Sequence, residues 1–174
     1  MSAQTNVPRR KNLRLSEYDY AQPGTYFVTV CTNSRRCLMG EINEDGVSSL
    51  SRIGQVVFNC WVSIPAHFQN VELDQFVIMP NHVHGILHIL ERRHSLRSIV
   101  GGVKAAASRI ANEANLLTEP LWQRGYFDHI VRSERALGLI RQYVLDNPQK
   151  WALDELNPLN AVLAATSFDN PADW

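Results

Sequence analysis

The strongest constraint on the fold of this chain is a pair of apolar runs separated by only two residues. The runs cover about residues 71–79 and 82–90, and Pro80-Asn81 joins them. So short a connection lets two strands pair only as antiparallel neighbours. The sequence therefore predicts a hairpin in the middle of the chain, around which the other elements must assemble.

The second strand of this hairpin places two histidines on one face. His82 and His84 alternate with an apolar row that takes every second residue from Val83 to Ile89, apart from a glycine at position 85. Because successive side chains of a strand point to opposite faces, we expect the apolar row to face the core and the histidines to face outward or into a cleft. Two adjacent imidazoles can bind a metal ion, and a pair of hydrogen-bonded surface histidines is the alternative.

The elements on either side of the hairpin predict an α+β fold. Apolar spacing near 3.6 residues indicates helices over about residues 49–64, ended by Pro65, and 95–116. Strands are predicted over about residues 26–32 and 126–131. The order β-α-β-β-α-β is that of the ferredoxin-like, or RRM-like, antiparallel sheet with helices on one face. A small extra hairpin, with a turn at residues 45–46, is expected between the first strand and the first helix.

A last helix is predicted to begin after Ser133, which is a good N-cap, and to end before Pro148. Tyr143 and Asn147 lie four residues apart on it and therefore share one face. Taken alone, Tyr143 is better explained as an amphipathic aromatic at a helix–sheet boundary. Asn147 is equally compatible with a capping or turn residue.

Length and composition fit one globular domain without a membrane span. The chain has 174 residues, and no apolar run approaches the roughly 20 residues that cross a bilayer. We therefore expect a cytoplasmic protein with no membrane partner. The formal net charge is zero, which counts mildly against a nucleic-acid partner, since phosphate neutralisation by Lys and Arg usually dominates such binding.

The distribution of charge divides the chain into three parts. Residues 1–20 form a basic arm, residues 21–151 the body, and residues 152–174 an acidic tail. If the partner is a nucleic acid, we expect its phosphates to contact the arm and exposed cations of the body, and a solvated surface is the alternative for each of them. These candidates are Arg9, Arg10, Lys11, Arg14, Arg97, Lys104 and Arg124. The acidic tail could cover the DNA-binding groove and restrain activity.

Three segments together resemble the single-tyrosine HUH transposases, and within them the REP-associated tyrosine transposases. They are residues 18–32, the run from Met79 to His84, and residues 122–151, which include Tyr143. That family joins a His-hydrophobic-His strand to one nucleophilic tyrosine on a later helix. The resemblance implies that residues 21–151 are a ferredoxin-like HUH single-tyrosine transposase catalytic domain.

The resemblance also implies a covalent route of DNA transposition. Tyr143 would attack single-stranded DNA, cut it as an endonuclease and keep a 5′-phosphotyrosine, which a second 3′-hydroxyl would reverse in strand transfer. His82, His84 and Asn147 would bind a divalent cation, Mg²⁺ or Mn²⁺. The partner would be single-stranded or hairpin DNA. Both monomeric and homodimeric relatives exist, so the resemblance leaves a homodimer open.

Two other classes of protein compete with this interpretation. A non-catalytic or degenerate single-stranded nucleic-acid-binding domain can use the same sheet, although such domains present aromatics rather than histidines on their central strands. A metal-dependent hydrolase of the H-x-H barrel type would need about 250 residues, so this chain of 174 residues is too short for it.

His88 lies on the same strand face as the histidine pair but about 13 Å from His84, at roughly 3.3 Å per residue. This is too far to share a metal ion, and we expect His88 to be structural or DNA-facing.

Overall fold

The computed structural model describes residues 19–158 and 160. Six strands and four α-helices follow one another in this part of the chain. The strands are β1 (Gly24–Cys31), β2 (Gly40–Ile42), β3 (Ser48–Leu50), β4 (Val71–Ile78), β5 (His82–Ile89) and β6 (Phe127–Val131). The helices are α1 (Arg52–Val62), α2 (Ile64–His67), α3 (Leu96–Glu113) and α4 (Glu134–Asp146). The four basic residues of the predicted arm, Arg9, Arg10, Lys11 and Arg14, lie outside the described residues.

The main sheet has the strand order β4-β5-β1-β6, and every neighbouring pair is antiparallel. With α1 between β1 and β4, and α3 between β5 and β6, this is the predicted ferredoxin-like arrangement. β2 and β3 form the expected extra hairpin as a separate two-stranded sheet. A four-stranded antiparallel sheet also excludes the barrel hydrolase that we considered as an alternative.

The prediction that Pro65 ends the first helix was wrong in detail. α1 ends three residues earlier, at Val62, and Pro65 lies in the first turn of the short helix α2. Proline is tolerated there because the first amides of a helix have no intrahelical acceptor. Within residues 19–158 and 160, no helix is both long enough and apolar enough to cross a membrane.

The main core lies between one face of the sheet and the helices α1 and α3. Tyr26, Val28 and Val30 of β1 point into it and are almost completely buried. The Trp61 indole of α1 lies directly over Gly85 of β5, where a Cβ atom would come within 2.2 Å of the ring. A glycine at this position is therefore what allows α1 to approach the sheet so closely.

The opposite face of the sheet, which carries His82 and His84, is covered by α4. Three apolar residues of this helix, Leu137, Ile140 and Val144, pack on Ile86 in a second and smaller cluster. β5 is therefore buried on both of its faces, whereas the sequence led us to expect one core face. The predicted N-cap is confirmed, since the Ser133 side chain accepts a hydrogen bond from the Ala136 amide.

A bulge in β4 adjusts which side chains reach each face. The register to β5 shifts between Leu73 and Phe76, so that Phe76 points to the main core and contacts the Trp61 ring. Asp74, inside the bulge, instead points to the face covered by α4, where it contacts Arg141. An extra residue in one strand is a common means of redirecting a side chain.

Replacement of Gly85 by alanine tests the close approach of α1. We expect Gly85→Ala to lower the free energy of unfolding by about 1–3 kcal/mol, because the new methyl group would overlap the Trp61 ring. Gly101→Ala is the matched control: this residue lies in α3 with nothing within 4 Å of an added Cβ. It should raise stability by up to about 1 kcal/mol. Urea denaturation of both variants measures the difference, and equal effects would contradict the packing described here.

Candidate active site

His82 and His84 lie side by side on β5 and are buried. Their ring centroids are 4.4 Å apart. His82 is 0% exposed and His84 is 3% exposed. Of the two expectations from the sequence, an outward-facing pair is wrong and a pair lining an interior pocket is correct. The cover comes from α4 and from the segment that follows it, residues 147–157.

The hydrogen bonds of His82 determine which of its nitrogens is free. Its Nδ1 lies 2.8 Å from Oδ1 of Asn81. The Asn81 amide nitrogen donates to the carbonyl oxygens of Arg35 at 3.0 Å and Leu156 at 2.6 Å, which fixes the amide orientation. Oδ1 must then accept from an Nδ1–H group, so Nε2 carries the lone pair. This Nε2 is buried and has no hydrogen-bond partner among the described residues.

His84 is held between β1 and α4. Its Nδ1 lies 2.8 Å from the Thr29 hydroxyl, and Thr29 is its direct cross-strand neighbour. Its Nε2 lies 3.2 Å from the Tyr143 hydroxyl. The Phe27 ring stacks on His84 at 5.3 Å and meets Tyr143 edge-on at 6.0 Å. The phenol is therefore positioned by both a polar and an aromatic contact.

Both imidazoles are neutral at pH 7. Burial lowers the pKa of His84 to about 3. Burial and the adjacent His84 imidazole lower the pKa of His82 well below its ordinary value, although the Asn147 side chain beside it acts in the opposite direction. A charged imidazolium would be costly in this interior. Neutral imidazole is the form that binds metal ions.

Tyr143 lies at the edge of the pocket with 38% of the residue exposed. Burial of the hydroxyl and the negative charge of Asp154 raise the pKa of the phenol, and a hydrogen bond to the Asn147 side chain acts in the opposite direction. The phenol is therefore protonated at pH 7, and it can become a nucleophile only if something in the site favours the phenolate.

Asn147 directly follows the last residue of α4, one helical turn after Tyr143, and is 3% exposed. Its Oδ1 is buried without a hydrogen-bond partner in the described part of the chain. A side chain that served only as a cap or a turn would not bury an unused acceptor, since each such atom costs roughly 1–3 kcal/mol. The arrangement instead suits an oxygen that is kept available for a ligand.

Asp154 completes the pocket, and the sequence did not identify it as a site residue. It belongs to the predicted acidic tail, yet its carboxylate and one ring nitrogen each of His82 and His84 lie within 4.8 Å of one another. Its Oδ2 is 3.9 Å from Nε2 of His82. A short 3-10 helix (Trp151–Leu153) turns the chain back to the sheet and places Asp154 there. No motif or spacing in the sequence marks this return.

Arg35 is a second residue that sequence reasoning missed. It follows β1 in a left-handed backbone conformation with φ of 54°, as does Ser34. Its carbonyl accepts from Asn81, and its guanidinium donates to the carbonyl of Glu155 at 3.5 Å. Strained backbone of this kind is often retained at functional sites. The Arg35 guanidinium brings a positive charge close to His82.

The pocket fits a divalent cation. One nitrogen each of His82 and His84 and a carboxylate oxygen of Asp154 lie within 4.8 Å of one another. The Asn147 side chain lies beside His82, and both His82 Nε2 and Asn147 Oδ1 are buried without a hydrogen-bond partner among the described residues. Mixed nitrogen and oxygen donors of this kind bind divalent metals. Asn81 and Thr29 hold the outer nitrogens of the imidazoles, as second-layer partners do in metal sites.

Comparison with known proteins assigns the chain to a family. Residues 25–147 match the sequence profile of the family described as "Transposase IS200 like". The chain belongs to this family of IS200-like transposases. The match covers the histidine strand, Tyr143 and Asn147, and it stops before Asp154.

Two relatives illustrate how far the similarity of this transposase extends. An uncharacterized protein of Haemophilus influenzae is 33% identical, in an alignment that covers 86% of this chain and 94% of that protein. A solved structure described as a REP-associated tyrosine transposase bound to a REP hairpin has a TM-score of 0.61. Its sequence identity is 22%, with 81% of this chain and 77% of that chain covered, so it supports the fold.

The structure separates the predicted DNA-binding cations of this transposase. Arg97 and Lys104 lie on α3, on the face of the sheet opposite to the histidines. Lys104 is also engaged, since its ammonium donates to the carbonyls of Gln123 at 2.7 Å and Gly125 at 2.6 Å. Arg124 lies between these two residues and is exposed. The Gln123 amide pairs with Cys31 at the end of β1, where His82 begins β5, so Arg124 is near the same end of the sheet as the pocket.

Asn81 connects the pocket to the chain that covers it, and its removal tests this connection. Asn81→Ala would leave the Arg35 and Leu156 carbonyls and Nδ1 of His82 without their partner. We expect the free energy of unfolding to fall by roughly 1–3 kcal/mol. The control is Asn59→Ala, an exposed residue of α1 that accepts one bond from Gln55, and its effect should stay within about 0.5 kcal/mol. Urea denaturation that gives equal losses would contradict the role of Asn81.

Proposed function

We propose that this transposase cleaves and rejoins single-stranded DNA through a phosphotyrosine on Tyr143, with the help of a divalent cation. The observation that carries the proposal is the 3.2 Å contact between the Tyr143 hydroxyl and Nε2 of His84. It puts the phenol at the pocket in which His82 and Asn147 keep unpaired lone pairs. The proposal is thus supported by a candidate nucleophile and candidate metal ligands that lie close together.

The proposed reaction is a balanced exchange of two phosphoester bonds. The Tyr143 side chain is partly exposed, so its phenol can lose its proton to solvent. The phenolate oxygen then attacks the phosphorus. As the new O–P bond forms, the bond to the 3′ oxygen breaks, and this oxygen takes up a proton. Tyr143 then carries the 5′-phosphate. Attack by another 3′-hydroxyl reverses the step and needs no ATP, because the ester conserves the bond energy.

The cation would be held by His82 and His84, with Asn147 and Asp154 as oxygen ligands. When bound, it would neutralise charge on the phosphate and favour the phenolate form of the nucleophile. Mg²⁺ prefers oxygen ligands and water, whereas Mn²⁺ also accepts imidazole. Of the two cations expected from the sequence, two histidine ligands therefore favour Mn²⁺.

The DNA partner is proposed to be single-stranded or to contain a hairpin. The solved transposase of similar fold is described as bound to a REP hairpin. Around the pocket of this chain, Arg35 and the exposed Arg124 offer positive charge for phosphates, and the basic arm, residues 1–20, would add more. Arg97 and Lys104 stay proposed contacts only for DNA that extends to the far face of the sheet.

A non-catalytic single-stranded DNA-binding domain is the competing proposal. Such a domain needs exposed stacking surfaces and basic residues, but it has no use for buried unpaired imidazole and amide atoms. The lone pairs of His82 and Asn147 therefore favour chemistry over binding alone.

Replacement of Tyr143 by phenylalanine tests the covalent step. With labelled hairpin oligonucleotides and Mn²⁺, we expect the wild-type protein to give a protein–DNA band that survives denaturing electrophoresis. Tyr143→Phe and EDTA should each abolish it, since the first removes the nucleophilic oxygen and the second the cation. Tyr20→Phe, a tyrosine packed against Tyr26, serves as the control and should leave the band intact. Cleavage that persists in Tyr143→Phe would indicate water as the nucleophile and would overturn the proposal.

Calorimetric titration with Mn²⁺ tests the ligand set. His82→Ala should weaken Mn²⁺ binding by more than about tenfold, because even residues that only support a ligand contribute that much. Asp154→Asn should weaken it as well, though less, since an amide oxygen can still bind without the charge. The control is His67→Ala, an exposed histidine in α2. Unchanged affinity in His82→Ala would rule out this pocket as the metal site.

The same Asp154→Asn protein distinguishes two proposed roles of the acid. If Asp154 is a ligand, the variant loses Mn²⁺ affinity and forms less adduct. If instead the tail only covers the DNA groove, Mn²⁺ affinity stays constant while DNA affinity and adduct formation increase.

A further inference from the structure

α4, the helix that carries Tyr143, is attached to the sheet by a narrow apolar contact. It buries Leu137, Ile140 and Val144, while Leu139 and Leu145 are more than half exposed. These three buried residues pack in the small cluster around Ile86 and not in the main core. A single narrow stripe of this kind resists separation of the helix from the sheet better than it resists rotation about the helix axis.

A two-pronged ion pair joins α4 to β4 beside this stripe. Nε of Arg141 lies 3.0 Å from both carboxylate oxygens of Asp74, and Nη2 lies 2.6 Å from Oδ2. The Asp74 side chain is only 9% exposed. A planar guanidinium that meets a carboxylate in this way fixes orientation as well as distance.

The carboxylate is itself held firmly by the sheet. The β4 bulge turns Asp74 toward α4, and its Oδ2 lies 2.9 Å from Nε2 of His88 on β5. Nδ1 of His88 in turn lies 2.8 Å from the Thr25 hydroxyl on β1. Although burial acts to raise it, hydrogen bonds from Arg141 and His88 lower the pKa of Asp74 to about 2, so it is ionised at neutral pH. The anchor thus extends across three strands.

Arg141 and Tyr143 lie on opposite flanks of the buried stripe. At about 100° of rotation per residue, Arg141 is on one side of Ile140 and Val144, and Tyr143 is on the other. Any rotation that moved Arg141 away from Asp74 would therefore also move the Tyr143 hydroxyl relative to His84.

We infer that the Asp74–Arg141 ion pair, supported by His88 and Thr25, sets the rotation of α4 and thereby holds Tyr143 at the histidine pocket. Arg141 is a positioning residue, because it contacts Asp74 and not the reacting atoms. The expected effect of the ion pair on cleavage rests on the proposed phosphotyrosine function. The expected effect of the ion pair on the order of α4 is independent of that function.

Two measurements on Asp74→Asn, Arg141→Gln and Arg141→Lys test this inference. Hydrogen–deuterium exchange followed by mass spectrometry should show faster exchange in peptides of α4 but not of α1 or α3. Under single turnover with saturating DNA, adduct formation should slow by roughly 10- to 100-fold, the usual cost of a misplaced reactive group. DNA affinity should stay unchanged. Arg141→Lys keeps the charge without the planar fork, so we expect intermediate values for it.

Arg109→Gln is the matched control, since it removes an arginine that pairs with Glu113 on α3 at 3.0 Å. It should change neither α4 exchange nor the adduct rate. The inference is overturned if α4 exchange and adduct rate are unchanged in Asp74→Asn and Arg141→Gln. It is equally overturned if exchange rises throughout the protein, because the ion pair would then serve only general stability. A wild-type protein that forms no adduct would refute the phosphotyrosine proposal, and α4 exchange alone would then decide on the ion pair.

Discussion

The burial of β5 on both faces is the constraint on which the rest of this transposase depends. One face presents an apolar row to α1 and α3, and the other presents His82 and His84. The large majority of buried polar atoms have hydrogen-bond partners, so buried imidazoles call for such contacts. Asn81, Thr29 and Tyr143 provide three of these contacts. The second cover of the sheet, α4 and the segment after it, is therefore also the structure that assembles the candidate active site.

Two buried polar atoms beneath α4 and the segment after it lack hydrogen-bond partners, and they link the structure to its proposed chemistry. Nε2 of His82 and Oδ1 of Asn147 stay unpaired in the described protein, at a cost of roughly 1–3 kcal/mol for each. Such a cost is expected where buried lone pairs are reserved for a ligand. The small apolar contact of α4 fits the same view, since its placement depends on the polar network around Asp74.

Much of the fold followed from local patterns. The hairpin at Pro80-Asn81, the N-cap Ser133 and the order of strands and helices were predicted correctly, because turn chemistry and periodicity are encoded by neighbouring residues. Pro65 was misjudged, since proline is a helix breaker in one position and a helix starter in another. The sequence left open whether the histidines face outward or into a cleft, because a pattern within one strand cannot indicate what packs on its polar face.

By itself, the sequence determined the ferredoxin-like order of elements, the shared face of His82 and His84, and the shared helical face of Tyr143 and Asn147. All of these depend on residues within a few positions of one another. Only the tertiary structure decided that the histidines are buried, that Asn81 holds Leu156 at a separation of 75 residues, and that Asp154 joins the pocket. Contacts between such distant segments follow from the packing of the whole chain and leave no periodic signal in its sequence.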